Sequence, residues 1–315
     1  MRLNIEKEIL VGEICKFLDS QRIRYDFYGD SRAIVRTYSN WEELEDHSIC
    51  LVRWKRDANE ELINKFHVLK EVLVVSSCQF EGVNCIVTDD AKVAFFFILN
   101  HFFAAPFPHT ISKQATVLTD AIGENVHIAP GCFVGENVSI GDNTILHPNV
   151  VIECPCEIGK NCEIFSGVSI GGDGFGYDKD SGGAPHRETH GGGVVIGDNV
   201  DIGANSSIDR GLLTDVIIED NVKIASLCHI GHDAHIEKNC LIVNGTVVCG
   251  SAHIKRDNYL APGSLINNLV TIGERAKIGI GSVAMWDVEP DATIFGNPGQ
   301  KIWSKKWSTN RGDES

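Results

Sequence analysis

From Ile122 onward, one branched aliphatic residue returns every six positions: Ile122, Ile128, Val134, Ile140, Leu146, Ile152, Ile158, Ile164 and Ile170. The register breaks and resumes at Ile196, Ile202 and Ile208. After four extra residues it restarts at Ile218 and runs through Ile224, Ile230, Ile236, Ile242, Val248, Ile254, Leu260, Ile266 and Ile272 to Ile278, with Ala284 as a weaker continuation. An α-helix repeats near 3.6 residues and a half-buried strand near two, so neither yields a period of six. A coil of three short strands does. Each side turns one aliphatic residue inward, and each turn carries a residue that tolerates unusual backbone angles, as in IGENVH, IGDNTI and IGERAK. Residues one coil apart then stack about 4.8 Å from each other, the ordinary spacing between paired strands.

The expected fold class is therefore mainly β: a left-handed parallel β-helix of hexapeptide repeats over residues 109–299. Residues 1–108 lack the repeat and read as a small α/β domain, and 300–315 as a C-terminal tail. In the first domain, Ile5, Ile9, Leu10, Ile14, Phe17 and Leu18 sit at helical spacing, RYDFYGD and EVLVVSS read as strands, and DDAKVAFFFILNHFF reads as a buried helix capped by Asp89. The run Val93–Leu99 is far short of the roughly 20 apolar residues a membrane span needs. Eleven cysteines are scattered without an export signal, which fits a reduced, cytoplasmic protein. The close trio Cys154, Cys156 and Cys162 reads as small wall-filling residues rather than a metal clip, because structural zinc uses two spaced pairs.

The formal charge of −15 argues against nucleic acid and anionic membranes, whose binders carry a basic stripe. Most of that acidity lies in the repeat. Within it, Lys255, Arg256, Arg275 and Lys277, followed by Lys301, make a small cationic island suited to the phosphates of a bound cofactor. Two segments leave the register. The longer, from 171 to 195, carries Asp173, Phe175, Tyr177, His186, Arg187 and His190, which can hydrogen-bond, stack and pair with phosphate. The shorter, DRGLLTD from Asp209 to Asp215, reads as a corner loop. In the first domain Arg53, Trp54, Lys55 and Arg56 place cations beside a stacking ring.

Three histidines crowd into HIGHDAHIEKN: His229, His232 and His235. Their spacing does not match the metal site of other three-sided β-helices, and no metal is expected. His232 lies one coil of eighteen from Gly250. An imidazole can accept a proton near neutral pH, and a bare glycine N–H can receive a developing oxyanion. Base and oxyanion donor on successive coils is what acyl transfer requires.

These motifs carry a resemblance. The N-terminal domain, IGGDGFGY, ANSSIDRG and CHIGHDAHI resemble the UDP-3-O-acylglucosamine N-acyltransferases of lipid A synthesis, over nearly the whole chain. The resemblance implies a homotrimer with sites between neighbouring β-helices, an N-terminal domain that helps hold the nucleotide, His232 as general base and Gly250 as oxyanion donor. The departures are specific. The family's orienting Asp, seven residues before the base, is Ala225 here, and a second family His aligns with Leu269. The uracil-contacting F-L-x-N-P-x-Y pattern appears as CLVRWKRD, and a K-I-P-Q-like stretch as APHRETHGGG. The family's helical extension for acyl carrier protein is not found after GNPGQKIW, an ending similar to that of hexapeptide acyltransferases that use coenzyme A.

On these grounds the expected activity is transfer of an acyl group, acetyl or short hydroxyacyl, from acyl-CoA to the amino group of a nucleotide-linked deoxyamino sugar, with dTDP as the nucleotide. His232 and Gly250 would be catalytic. The 171–190 and Arg53–Arg56 loops would hold sugar and nucleotide, and the Lys255, Arg256, Arg275, Lys277, Lys301 island would hold coenzyme A. The alternatives are the lipid A enzyme itself, using acyl carrier protein, and a non-catalytic β-helix scaffold.

Overall fold

The computed structural model describes residues 8–53, 60–104, 107–153 and 155–301. The chain divides into two compact units, 1–106 and 107–315. In the first, a five-stranded sheet runs in the order Asp26–Tyr28, Asn84–Val87, Leu73–Ser76, Ser48–Val52, Thr37–Ser39. Its last four strands are parallel and the first is antiparallel. The central strands are near-continuous apolar runs because both faces are covered.

Two expectations for this unit are corrected. The first helix begins at Val11, not before, and buries Val11, Ile14 and Leu18. Ile9–Leu10 is a strand, because its backbone pairs with Ile34–Val35 and that ladder competes successfully with the helical pattern; Ile5 lies outside the described residues. The last helix spans Ala91–Phe102 with Asp90, rather than Asp89, at its boundary and no carboxylate capping it. It buries Ala91, Ala94, Phe95 and Ile98, while Val93, Phe96 and Phe97 remain partly exposed, so it is buried on one face only.

The second unit is the expected β-helix. Its strands stack into three parallel sheets of nine, seven and ten members, the last ending in an antiparallel strand at Gln300–Lys301. Corresponding residues lie eighteen apart, as Asn125 and Asn143 do. The offset grows to 38 across the long interruption and to 22 across the short one, after which the ladder resumes. The inward aliphatic row is closed to solvent from Ile128 to Ile278, and Ala284 continues it.

A second inward row stands two positions before the first, and it takes small residues. Cys132, Thr144, Cys162, Ser206, Cys228, Cys240 and Thr246 all occupy it. Their hydrogens reach carbonyls at the corners: Cys132 Sγ donates to His147 O at 3.1 Å, Cys240 Sγ to Lys255 O at 3.0 Å, and Thr144 Oγ1 to Gly159 O at 2.9 Å. A thiol or hydroxyl here fills a narrow wall and satisfies an otherwise orphaned carbonyl. Cys156 and Cys162 are buried members of this row; Cys154 lies outside the described residues. Burial pushes the Cys240 thiol up to about 12.

One corner of most coils holds an asparagine in the left-handed region, among them Asn125, Asn143, Asn161, Asn199, Asn221 and Asn239. Asparagine accepts that conformation more readily than most residues, and here its amide also donates to the next coil, as from Asn143 Nδ2 to Asn161 Oδ1 at 3.2 Å. Replacing Asn143 with Val should cost about 1–2 kcal/mol from the strained backbone alone. Asn143→Gly should cost less, both read from urea unfolding midpoints. Equal losses would show that the amide ladder, not the backbone angle, makes the difference.

Candidate active site

His232 follows the strand His229–Ile230 at a corner of the coil. Its Nδ1 lies 2.9 Å from Asp233 Oδ2. Adjacent residues rarely pair in this way, and the left-handed backbone of Asp233 (φ 54°) is what turns its carboxylate back toward the imidazole. The other oxygen of that carboxylate is gathered by the short interruption. Asp233 Oδ1 accepts from the backbone N–H groups of Leu212 (3.1 Å), Leu213 (3.3 Å) and Thr214 (3.0 Å), and from the Thr214 hydroxyl at 2.8 Å. The Asp209–Asp215 segment is therefore not only a corner loop but a clamp on one carboxylate. Burial alone would raise Asp233, but the hydrogen bonds from His232 and Thr214 outweigh it and hold the acid below the usual carboxylate range. With Asp233 ionised, Nδ1 of His232 is the donor in this pair, and Nε2 is left as the free acceptor.

Gly250 lies one coil on, beneath the imidazole. A Cβ there would stand 2.4 Å from His232 Nε2 and 2.6 Å from Cε1, so only glycine lets the ring lie flat. The N–H of Ser251 donates to His232 O at 2.8 Å and locks the two coils in register. Gly250 N–H has no acceptor among the described residues. The candidate base, a carboxylate hydrogen-bonded to it and an open amide thus converge at one corner.

Three further groups face this corner. Asp209, at the end of the strand Ser207–Asp209, has a side chain only 14 % exposed, and its Oδ2 is 3.5 Å from His229 Nε2. Burial raises its pKa, while His229, His232 and His190 pull it down less strongly. His229 Nδ1 meets the Ser207 hydroxyl at 2.9 Å. His190 is 4 % exposed, and its ring stands edge-on to that of His232 with centroids 5.9 Å apart. Neither of its ring nitrogens has a hydrogen-bond partner. Among the described residues, no group of three His, Cys, Asp or Glu side chains is disposed to hold a metal ion.

The long interruption folds as a hairpin, with Tyr177–Lys179 paired antiparallel to Pro185–Arg187. Of its six candidate residues, only His190 joins His232. Phe175 and Tyr177 are exposed with ring centroids 5.3 Å apart, Arg187 is salt-bridged to Asp173, and His186 Nε2 pairs with Asp180 at 2.8 Å. In the first unit, Arg53 lines a pocket of about 520 Å³ with Tyr38, Trp41, Phe95 and Phe96. Trp54 and Arg56 lie outside the described residues.

The cations of the late coils are mostly engaged. Lys255 meets Glu237 at 3.1 Å, Arg256 meets Glu274 at 3.1 Å, Arg275 grips Asp291 with two nitrogens, and Lys301 pairs with Glu289. Along the sequence only Asp257 and Glu274 offset these cations locally; the fold adds Glu237, Asp291 and Glu289. Lys277 instead borders a small apolar pocket with Tyr259, Ile280 and Phe295.

Asp233 and Asp209 were missed by reading the sequence residue by residue. Their signal was present: an acid directly after the candidate base, and another at the start of the segment that breaks the register.

A family model described as bacterial transferase hexapeptide (six repeats) matches residues 137–172 and 215–250. The UDP-3-O-acylglucosamine N-acyltransferase of Campylobacter lari is 31% identical over 321 residues, covering 94% of this chain and 95% of that protein. Its counterpart from Herminiimonas arsenicoxydans is 39% identical over 164 residues, 52% of this chain, and there the chain spans about half of the relative, 47% of its length. Among solved structures, a UDP-N-acetylglucosamine acyltransferase from Bacteroides fragilis aligns with a TM-score of 0.55 at 28% identity, over 61% of this chain and 74% of that one. No helix among the described residues is long and apolar enough to cross a membrane. The chain belongs to the family of hexapeptide-repeat, left-handed β-helix acyltransferases that includes the UDP-3-O-acylglucosamine N-acyltransferases.

Proposed function

We propose that this protein is an N-acyltransferase that moves an acyl group from a carrier thioester to the amino group of UDP-3-O-acylglucosamine. The observation that carries the reading is the His232–Asp233 pair set over the open amide of Gly250. The amine lone pair attacks the thioester carbonyl, forming the C–N bond. His232 Nε2 takes the proton this nitrogen sheds, and the Gly250 N–H faces the oxyanion. When the intermediate collapses the C–S bond breaks, and His232 returns the proton to the departing thiolate. Asp233 keeps the imidazole in the right tautomer and orientation and stabilises it while charged.

The orienting acid at Asp233 removes the main objection to this reading, since the acid expected seven residues before the base is Ala225 in this chain. The long relative from Campylobacter lari supports the acceptor. The reading places the enzyme in the cytoplasm as a homotrimer, as the family resemblance implies.

A second reading keeps acyl-CoA as donor and a dTDP-linked deoxyamino sugar as acceptor. It is favoured by the CLVRWKRD segment, which replaces the uracil-contacting pattern, and by Leu269. The paired state of Lys255, Arg256, Arg275 and Lys301 weighs against it, because phosphates of coenzyme A would have to compete with Glu237, Glu274, Asp291 and Glu289 for those cations.

A thiol-release assay decides between the two. Turnover of UDP-3-O-acylglucosamine with an acylated carrier protein supports the first; turnover only with acyl-CoA and a dTDP-amino sugar supports the second, and no release with any thioester removes both. His232→Ala should lower the rate by roughly 10²–10⁴-fold with an unchanged circular dichroism spectrum. Asp233→Ala should lower kcat more than it raises either KM, since it disturbs the base and not a substrate contact. Gly250→Ala should push the imidazole off its seat and cut kcat comparably. Near-normal turnover in Gly250→Ala would take that close approach out of the mechanism.

A further inference from the structure

Asp209 is a carboxylate without a hydrogen-bond donor. Its side chain is 14 % exposed, yet among the described residues no N–H or O–H reaches either oxygen within hydrogen-bond distance. The nearest side-chain nitrogen, His229 Nε2, stays at 3.5 Å. Arg210, the cation next in sequence, turns away and spends its Nε on Gly192 O at 2.8 Å. Gly174 closes one flank: a Cβ there would come 2.7 Å from Asp209 Oδ2. The neighbouring Asp233, with a side chain 15 % exposed, is by contrast met by three amides and a hydroxyl. A carboxylate removed from water costs free energy unless a donor or cation meets it. At Asp209, beside the candidate base, the described residues supply no hydrogen bond and only the distant His229 imidazole as a potential cation.

We infer that Asp209 is the substrate-contacting residue that receives the acceptor's amino group and selects an amine over a hydroxyl, with buried His190 forming the back of that subsite. This rests on the N-acyl transfer proposed above. An amino sugar arrives largely as an ammonium, which brings the charge and the N–H donors that Asp209 lacks; a sugar hydroxyl brings one neutral donor. Charge-assisted pairs of this kind are the stronger ones. One proton then leaves to bulk water and the amine keeps an N–H on the carboxylate, with its lone pair free for the thioester. His232 takes the second proton during transfer, so the balance closes on amide, thiol and one released proton. His190 fits the same picture. A neutral imidazole has one donor and one acceptor, and both nitrogens are unpartnered at a ring that packs on Gly176 and edge-on to His232.

The test compares the full-length wild type with Asp209→Asn, which keeps the shape and removes the charge. Turnover is measured with UDP-3-O-acylglucosamine. Calorimetry measures binding of that amine and of its counterpart with a hydroxyl in place of the amino group. Asp209→Asn should lose about 10–100-fold in kcat/KM and in affinity for the amine. Its KM for the acyl donor and its affinity for the hydroxyl counterpart should stay unchanged, and the latter also reports that the fold is intact. His190→Phe, which keeps the ring and removes both nitrogens, should weaken amine binding in the same selective way. If Asp209→Asn does not fold, Asp209→Ser takes its place. Equal wild-type affinity for the two ligands, or equal loss of both in the variant, overturns the inference. Absent wild-type turnover with a retained, Asp209-dependent preference for the amine overturns the acyl-transfer reading and leaves the subsite standing.

Discussion

The coil-to-coil hydrogen-bond ladder is the constraint on which everything else in the second unit rests. Each coil is registered on the one before it, so a residue inserted into any side would slide every later aliphatic residue out of the core. Extra residues can therefore only be expelled at a corner and must return to the same register. Both insertions do this: the offset between stacked residues grows and then returns to eighteen. What they add is not core but cover. The longer brings His190 against His232, and the shorter brings three amides and a hydroxyl to Asp233.

This division of labour explains what could be read from the sequence. A period of six is a packing rule and repeats along the chain, so the β-helix and its inward row are legible without knowing any distance. His232 and Gly250 are also legible, because the eighteen-residue coil converts sequence offset into spatial stacking. Asp233 is not. Its role depends on a left-handed backbone angle and on a loop that arrives from more than eighteen residues earlier, neither of which a period encodes. Asp209 was hidden for the opposite reason: its significance lies in partners it does not have. In the late coils, charge along the chain shows only part of the balance: Glu274 is adjacent in sequence, while the fold also places Glu237 and Asp291 beside the cations. In the first unit, backbone pairing of Ile9–Leu10 with Ile34–Val35 overrode a helical pattern that was locally sound.

The two aspartates at the corner show how environment separates like groups. Both are carboxylates within reach of His232 and both are removed from water. Asp233 is surrounded by donors and stays low; Asp209 has none and is raised by burial. One is fixed as the partner of His232. The other remains available to whatever enters.

Because each coil touches only its neighbours, the second unit behaves as a one-dimensional array whose coupling is short-ranged. In such an array the terminal coils open first and most often, and the opening dies away within a few repeats. Asp209, His232 and Gly250 lie in the middle of the stack, with coils on both sides of them, and His190 reaches them from the long insertion. The candidate corner is thus shielded from fraying by position alone: the outer turns act as sacrificial thickness, and opening at either end leaves its geometry in place until it has travelled through several coils.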